Sequence, residues 1–242
     1  SHPDLAPEGR AGIAAMSYAV GPAVLAALRP EAREQARVVV GIGGYYDLTR
    51  VVAFFTTGYY RDHAGAGGPW QYLTPNEYGK WAFVLTQVDR LADPADRNIM
   101  ETMARLKMED PAAPVESLAQ KLGPQGRAFF ELLANRDPHR TPKLIERLPP
   151  EVKAEFNALN VSRHDLSKLQ ARLLLFHGRN DNIIPYTESI ALARAVPPGQ
   201  ARLILLDGLA HVDLEGIGFR DKLRLWRGMD LLLRERSRKP PD

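Results

Sequence analysis

Four short apolar runs mark the two ends of the chain. They are Ala11–Met16 (AGIAAM), Ala36–Gly44 (ARVVVGIGG), Ala171–Gly178 (ARLLLFHG) and Ala201–Gly208 (ARLILLDG). The first stops at Ser17; the other three are rich in branched aliphatic residues and end in glycine. Unbroken apolar runs of this length predict strands buried on both faces of a parallel sheet. Between and after them the period changes. Val20–Leu28 is a small-residue helix pattern, and Thr187–Ala195 a crossover helix. Phe219–Glu235 is amphipathic, with Leu223, Leu225, Trp226, Met229, Leu232 and Leu233 as its apolar positions. Strands alternating with helices predict an α/β fold: a mostly parallel sheet with helices on its faces.

The middle of the chain, 49–166, lacks such strand runs. It reads as helical and is punctuated by Pro and Gly, with a stop and restart at Gly123-Pro124 and Pro150 at a first helical position. His63–Gly68 (HAGAGG) reads as a flexible loop. The expected organisation is therefore a core of residues 1–48 and 167–242, interrupted by a helical cap over 49–166. Nine of the chain's 19 Phe, Tyr and Trp residues fall between positions 54 and 83. They form either the cap's own core or, in part, the wall of an apolar pocket.

Composition narrows the function. The 32 Lys and Arg nearly balance 29 Asp and Glu, and the basic residues are scattered apart from Arg234–Lys239 (RERSRK). A net charge of +3 makes no case for a nucleic-acid partner. The absence of Cys excludes disulfides, thiolate metal sites and a Cys nucleophile. It does not fix the compartment, for which the cytoplasm is the default reading. No stretch approaches the 18 apolar residues of a membrane span.

The candidate chemistry starts at Ser17. A serine on a tight turn between a strand and a helix is exposed at the carboxyl edge of a parallel sheet, where ligands bind. Such a turn needs small neighbours, and the residues two before and two after are Ala15 and Ala19. A helix N-cap is the plainer reading of the same serine. A serine hydroxyl needs a base. Of six histidines, His2 lies in the tail, His63 in the glycine loop, and His139 and His164 in the cap region. His177, near a strand end, suits a structural hydrogen bond. His211, in LLDGLAHVDLE, follows the last strand on the edge that carries Ser17. Asp181, in HGRNDNIIP after another strand, is the favoured partner for that histidine; its alternative reading is a turn aspartate. Asp47, after GIGGYYD, is a second candidate. The order Ser17, Asp181, His211 on successive strand ends is the order of a known triad arrangement.

The segments AMSYA, FHGRNDNIIP and LLDGLAHVDL together resemble the α/β-hydrolase fold superfamily. The resemblance covers residues 11–44 and 171 onward. Its elbow has alanines where the family has glycines. It implies carboxylic ester hydrolysis with Ser17 as nucleophile, His211 as base and Asp181 as its partner. Tyr18 would donate a backbone N–H to the oxyanion, and no metal or cofactor is needed. The substrate would be a small ester, with Tyr45, Tyr46, Phe54 and Phe55 as an apolar acyl wall. Peptide, thioester or acyl-transfer chemistry on the same fold, and a non-catalytic binding module, are the alternatives. The family nucleophile follows the fifth strand of eight. The resemblance therefore implies that the N-terminal strands are absent here, and that a missing segment or a second chain pairs along Ala11–Met16.

Overall fold

The structure is a computed structural model, and it describes residues 9–62, 67–209 and 218–236. In chain order the elements are β1 (Ala11–Met16), α1 (Val20–Leu28), α2 (Pro30–Arg33), β2 (Ala36–Ile42), α3 (Leu48–Thr57), β3 (Tyr59–Tyr60), β4 (Gln71–Tyr72), α4 (Glu77–Gln87), α5 (Pro94–Glu109), α6 (Glu116–Ala119), α7 (Pro124–Leu133), α8 (Thr141–Glu146), α9 (Pro150–Leu159), β5 (Arg172–Gly178), α10 (Thr187–Ala195), β6 (Ala201–Leu206) and α11 (Phe219–Arg236). Each of the four apolar runs forms a strand. The trailing glycines of the second run fall outside β2, where Gly43 takes φ +62°.

The chain divides into two compact units. One comprises Ser1–Asp47, Asp62–Gly68 and Val161–Asp242; the other comprises Leu48–Arg61 and Pro69–Asn160. The first is built on a four-stranded sheet of order β1-β2-β5-β6, parallel throughout. Its two faces are set by the alternation of side chains. Val38, Leu174 and Phe176 pack with Val40, Ile42, Ile204, Leu225, Leu231 and Leu232, so α11 covers the face that these strand residues share. The opposite face meets α1 and α10. A Cβ on Gly41 would come within 2.8 Å of Val20 Cγ1, so α1 lies close on β2, and Ser189 of α10 bonds His177 of β5. An α/β fold with a helix-flanked parallel sheet is thus what the alternating pattern forms. β1 stands at one edge of that sheet.

The second unit is helical apart from the two-residue ribbon β3–β4, which pairs Tyr59 with Tyr72 and Tyr60 with Gln71. That ribbon was not expected from the sequence, because two residues carry no periodicity. The unit's core includes Phe54, Phe55, Trp81, Met100, Met103, Phe129 and Leu132, all buried. Asp96, itself buried, accepts the Gly123 and Gly126 N–H groups at 2.6 and 2.7 Å and so caps the start of α7.

Candidate active site

The backbone turns sharply at Ser17. Met16 is extended (φ −127°, ψ 149°), Ser17 has φ +55°, and Ala19 is already helical (φ −72°, ψ −15°). Among the described residues Ser17 is the one non-glycine residue with positive φ. The left-handed conformation costs an L-residue about 1–2 kcal/mol and persists only where the surroundings enforce it. Here the enforcement is visible. Val20, the first residue of α1, is completely buried and fills the space where Gly41 and Gly44 lack side chains. Helix α1 is thereby held close to β2, and the chain must leave β1 and enter the helix within a few residues. Ser17 is left partly exposed at the carboxyl end of β1.

Next to it, Tyr18 turns its ring toward Tyr45, with centroids 6.1 Å apart. The Tyr18 hydroxyl is buried with no hydrogen-bond partner among the described residues. Burial raises its pKa, and the charge of Asp181 and the neighbouring Tyr45 raise it further. The Asp181 charge is thus felt at the residue that follows Ser17, though burial is the larger cause.

Asp181 is 1% exposed. One carboxylate oxygen, Oδ1, accepts the Ile183 and Ile184 N–H groups, both at 2.9 Å. The other, Oδ2, lies 3.2 Å from His177 Nε2. His177 Nε2 also faces the Ile184 carbonyl at 2.9 Å. Two acceptors around one ring nitrogen assign the proton to Nε2, so Nδ1 accepts from the Ser189 hydroxyl at 2.7 Å in the neutral ring. His177 is a fully buried bracket between β5, the acid turn and α10.

His211 lies outside the described residues. The segments on either side of it are described, and both are firmly held. Asp221, buried in the first turn of α11, accepts the Asp207 and Gly208 N–H groups on Oδ2 at 2.9 and 2.7 Å. Arg224 bonds both Asp207 and Asp221, at 2.7 and 2.8 Å. Its guanidinium holds the Asp207 carboxyl below the usual carboxylate range. Gly178, at the end of β5, packs directly under the Leu209 carbonyl, where a Cβ would overlap the oxygen. The expected result for Gly178→Ala is a loss of about 3 kcal/mol in urea unfolding, because backbone must shift. Gly199→Ala serves as the control. Its φ is +82° and nothing lies within 4 Å of the added Cβ, so only about 1 kcal/mol should be lost.

The four acyl-wall candidates separate. Tyr45, Phe54 and Phe55 are 1%, 0% and 1% exposed. Tyr45 packs its hydroxyl end on Gly21 of α1, where any side chain would overlap it. Phe54 meets Tyr60 edge-on at 5.7 Å, and Phe55 packs on Phe83 at 5.4 Å within the helical unit. These three rings are enclosed by packing, and Tyr46 alone of the four is partly exposed. Asp47, the alternative acid, donates its N–H to Glu188 Oε2 at 2.7 Å, and Tyr46 donates to the same oxygen at 3.1 Å. Glu188 is 1% exposed and fixes the turn after β2 from α10. Its role and that of Asp221 rest on partners 141 and 14 residues away. No local motif announces either one.

Among the described residues no group of His, Asp and Glu is arranged to hold a metal ion, and no helix is long and apolar enough to cross a membrane.

No family model matches the sequence, and no curated protein matches it. Solved structures do resemble it. One is a meta-cleavage product hydrolase from Pseudomonas fluorescens, 18% identical, with a TM-score of 0.40 over 95% of this chain and 67% of that one. Another is an alpha/beta hydrolase enzyme from a Medee basin deep-sea metagenome library, 12% identical, with a TM-score of 0.42 over 99% of this chain and 70% of that one. A third is an esterase from Exiguobacterium antarcticum, 14% identical, with a TM-score of 0.39 over 93% of this chain and 66% of that one. The chain spans about two thirds of the length of these structures. Its fold is established by its own strand order and parallel pairing.

Proposed function

We propose that this chain carries the nucleophile and acid of a serine hydrolase that cleaves carboxylic esters through an acyl-enzyme. The observation that carries the reading is the left-handed Ser17 between β1 and α1. A non-glycine residue in that conformation, at the carboxyl edge of a parallel sheet, is a strained elbow of the kind that presents a nucleophile. A serine used only as a helix N-cap has no need of positive φ, since N-cap residues take extended backbone.

The chemistry follows from the placement. Ser17 Oγ attacks the acyl carbon while the base, assigned to His211, takes its proton. The same histidine returns that proton to the leaving alcohol, and water then hydrolyses the acyl-enzyme. Asp181 orients the base and stabilises its charged form; its own carboxylate is held in place by Ile183, Ile184 and His177. The Tyr18 N–H, at the first turn after β1, is the oxyanion donor from this chain. No step requires a metal or an organic cofactor.

p-Nitrophenyl esters of graded acyl length test the proposal. Turnover above the uncatalysed rate, with a dependence on acyl length, is expected. Cleavage of peptide or thioester substrates in preference to every ester would move the reading to those reactions on the same fold. Absence of turnover on all three classes would remove the hydrolase reading.

A further inference from the structure

Asp181 belongs to a second serine–histidine–acid chain besides the one proposed for ester cleavage. The Ser189 hydroxyl meets His177 Nδ1 at 2.7 Å, and His177 Nε2 lies 3.2 Å from Asp181 Oδ2. All three residues are buried, so no ester reaches this serine. The ring is also reversed relative to an attacking triad, with the serine on Nδ1 and the acid on Nε2. The chain therefore serves the acid rather than a second nucleophile.

His177 and Ile184 close a ring on that acid. Nε2 faces the Ile184 carbonyl at 2.9 Å, and the Ile184 N–H donates to Asp181 Oδ1 at 2.9 Å. Asp181 Oδ2 returns to Nε2. Both carboxylate oxygens are thus met by fixed groups, Oδ1 from its own turn and Oδ2 from the ring carried on β5. Contact at both oxygens matters because the torsion that turns a carboxylate is broad and is not set by rotamer preference. The ring is fixed in turn from α10. With two acceptors at Nε2, the proton stays there, and the Ser189 hydroxyl supplies the donor that a bare Nδ1 requires. The residue before it, Glu188, is also buried and holds the Tyr46 and Asp47 N–H groups. The first turn of α10 is therefore anchored on the turn after β2 while it presents Ser189 to His177.

We propose, on the basis of the ester-cleaving function inferred for the site, that His177 and Ser189 are its positioning residues: His177 holds the Asp181 carboxylate in the plane that serves the base, and Ser189 holds His177 in the tautomer that does so. Neither residue touches substrate, and both act through Asp181. A carboxylate released from Nε2 keeps its charge but loses its orientation, and misplacement of that kind slows the chemical step without weakening substrate binding.

Two isosteres separate positioning from a purely structural role. Glutamine carries its amide nitrogen as many bonds from Cβ as Nε2, whereas asparagine carries its own where Nδ1 stands. His177→Asn is expected to lower kcat on p-nitrophenyl esters by about 30-fold, with KM within about twofold of the parent. His177→Gln should recover most of that loss, because its NH₂ donates to both the Ile184 carbonyl and Asp181 Oδ2. Ser189→Ala should lower kcat by about threefold, since Nε2 keeps both of its acceptors. Urea unfolding of the same variants supplies the comparison. Activity that falls in step with stability whichever amide is present, or an unaltered kcat in His177→Asn or Ser189→Ala, would overturn the proposal. Nitrogen-15 NMR of the unaltered chain stands even if a variant fails to fold. It should show His177 protonated at Nε2 and bare at Nδ1, and a proton on Nδ1 would overturn the proposal. Turnover by the unaltered chain keeps the two readings distinct. Its absence would remove the hydrolase reading and this proposal with it, whereas equal turnover in the parent and His177→Asn would remove this proposal alone.

Discussion

Ser17→Ala is expected to lower ester turnover by about 10⁴-fold or more, equivalent to at least about 5 kcal/mol of transition-state stabilisation. The substitution removes the attacking oxygen. Ser17 is partly exposed, and the packing that enforces its turn comes from Val20 against Gly41 and Gly44. Folding should be unaffected to within about 0.5 kcal/mol. Ser17→Gly separates catalysis from strain. Glycine takes positive φ without penalty, so this variant should be as inactive as alanine yet more stable than the parent by about 1 kcal/mol in urea unfolding. A stabilised, inactive glycine variant is the signature of an elbow kept strained for function. A destabilised one would mean that the hydroxyl serves the fold instead.

The second large effect is at Asp181. Asp181→Asn is expected to reduce kcat by about 10⁴-fold with little change in KM, as when the group orienting a catalytic histidine loses its charge. It also carries a structural cost, and the geometry gives the reason. The asparagine carbonyl can replace Oδ1 toward the Ile183 and Ile184 N–H groups. Its NH₂ must then face His177 Nε2, which already donates to the Ile184 carbonyl. Two donors meet in a fully buried position, and either tautomer of His177 leaves one group unsatisfied. A loss of about 2 kcal/mol in stability follows. Activity lost with KM preserved separates the catalytic effect from general loosening of the site, which would raise KM as well.

What the sequence reveals here depends on the range over which each feature is encoded. The central strands β2 and β5 are legible because burial on both faces forces the apolar runs ARVVVGI and RLLLFHG, whereas β1 and β6, more exposed in the fold, are legible from their short apolar runs alone. Helix α1 is legible because close approach to the sheet demands small residues, and Gly21 sits where the Tyr45 ring arrives. The place of Ser17 at a strand–helix junction follows from two adjacent local patterns; its positive φ does not, since alanines rather than glycines flank it. The bracket that holds Asp181 was half visible. His177 read as a structural histidine, but its bonds to Ser189 and to the Ile184 carbonyl depend on how α10 returns to β5. Glu188 and Asp221 were invisible, because each acts on backbone groups of a segment that only the fold brings near. The aromatic residues are ambiguous for a related reason. Clustering in sequence between 54 and 83 marks apolar content, and apolar content serves a core as well as it serves a pocket wall. Phe54 and Phe55 went to the core of the helical unit and Tyr45 to the underside of α1.

The central claim is that the left-handed serine after β1 is a nucleophile. A fluorophosphonate probe tests it most directly, because it reacts only with an activated hydroxyl and leaves a covalent mark that peptide mass spectrometry can place. The account predicts one phosphonylated residue per chain, at Ser17, with labelling abolished in Ser17→Ala and strongly slowed in Asp181→Asn. Labelling at another serine, or an unaltered rate of labelling in Ser17→Ala, would contradict it.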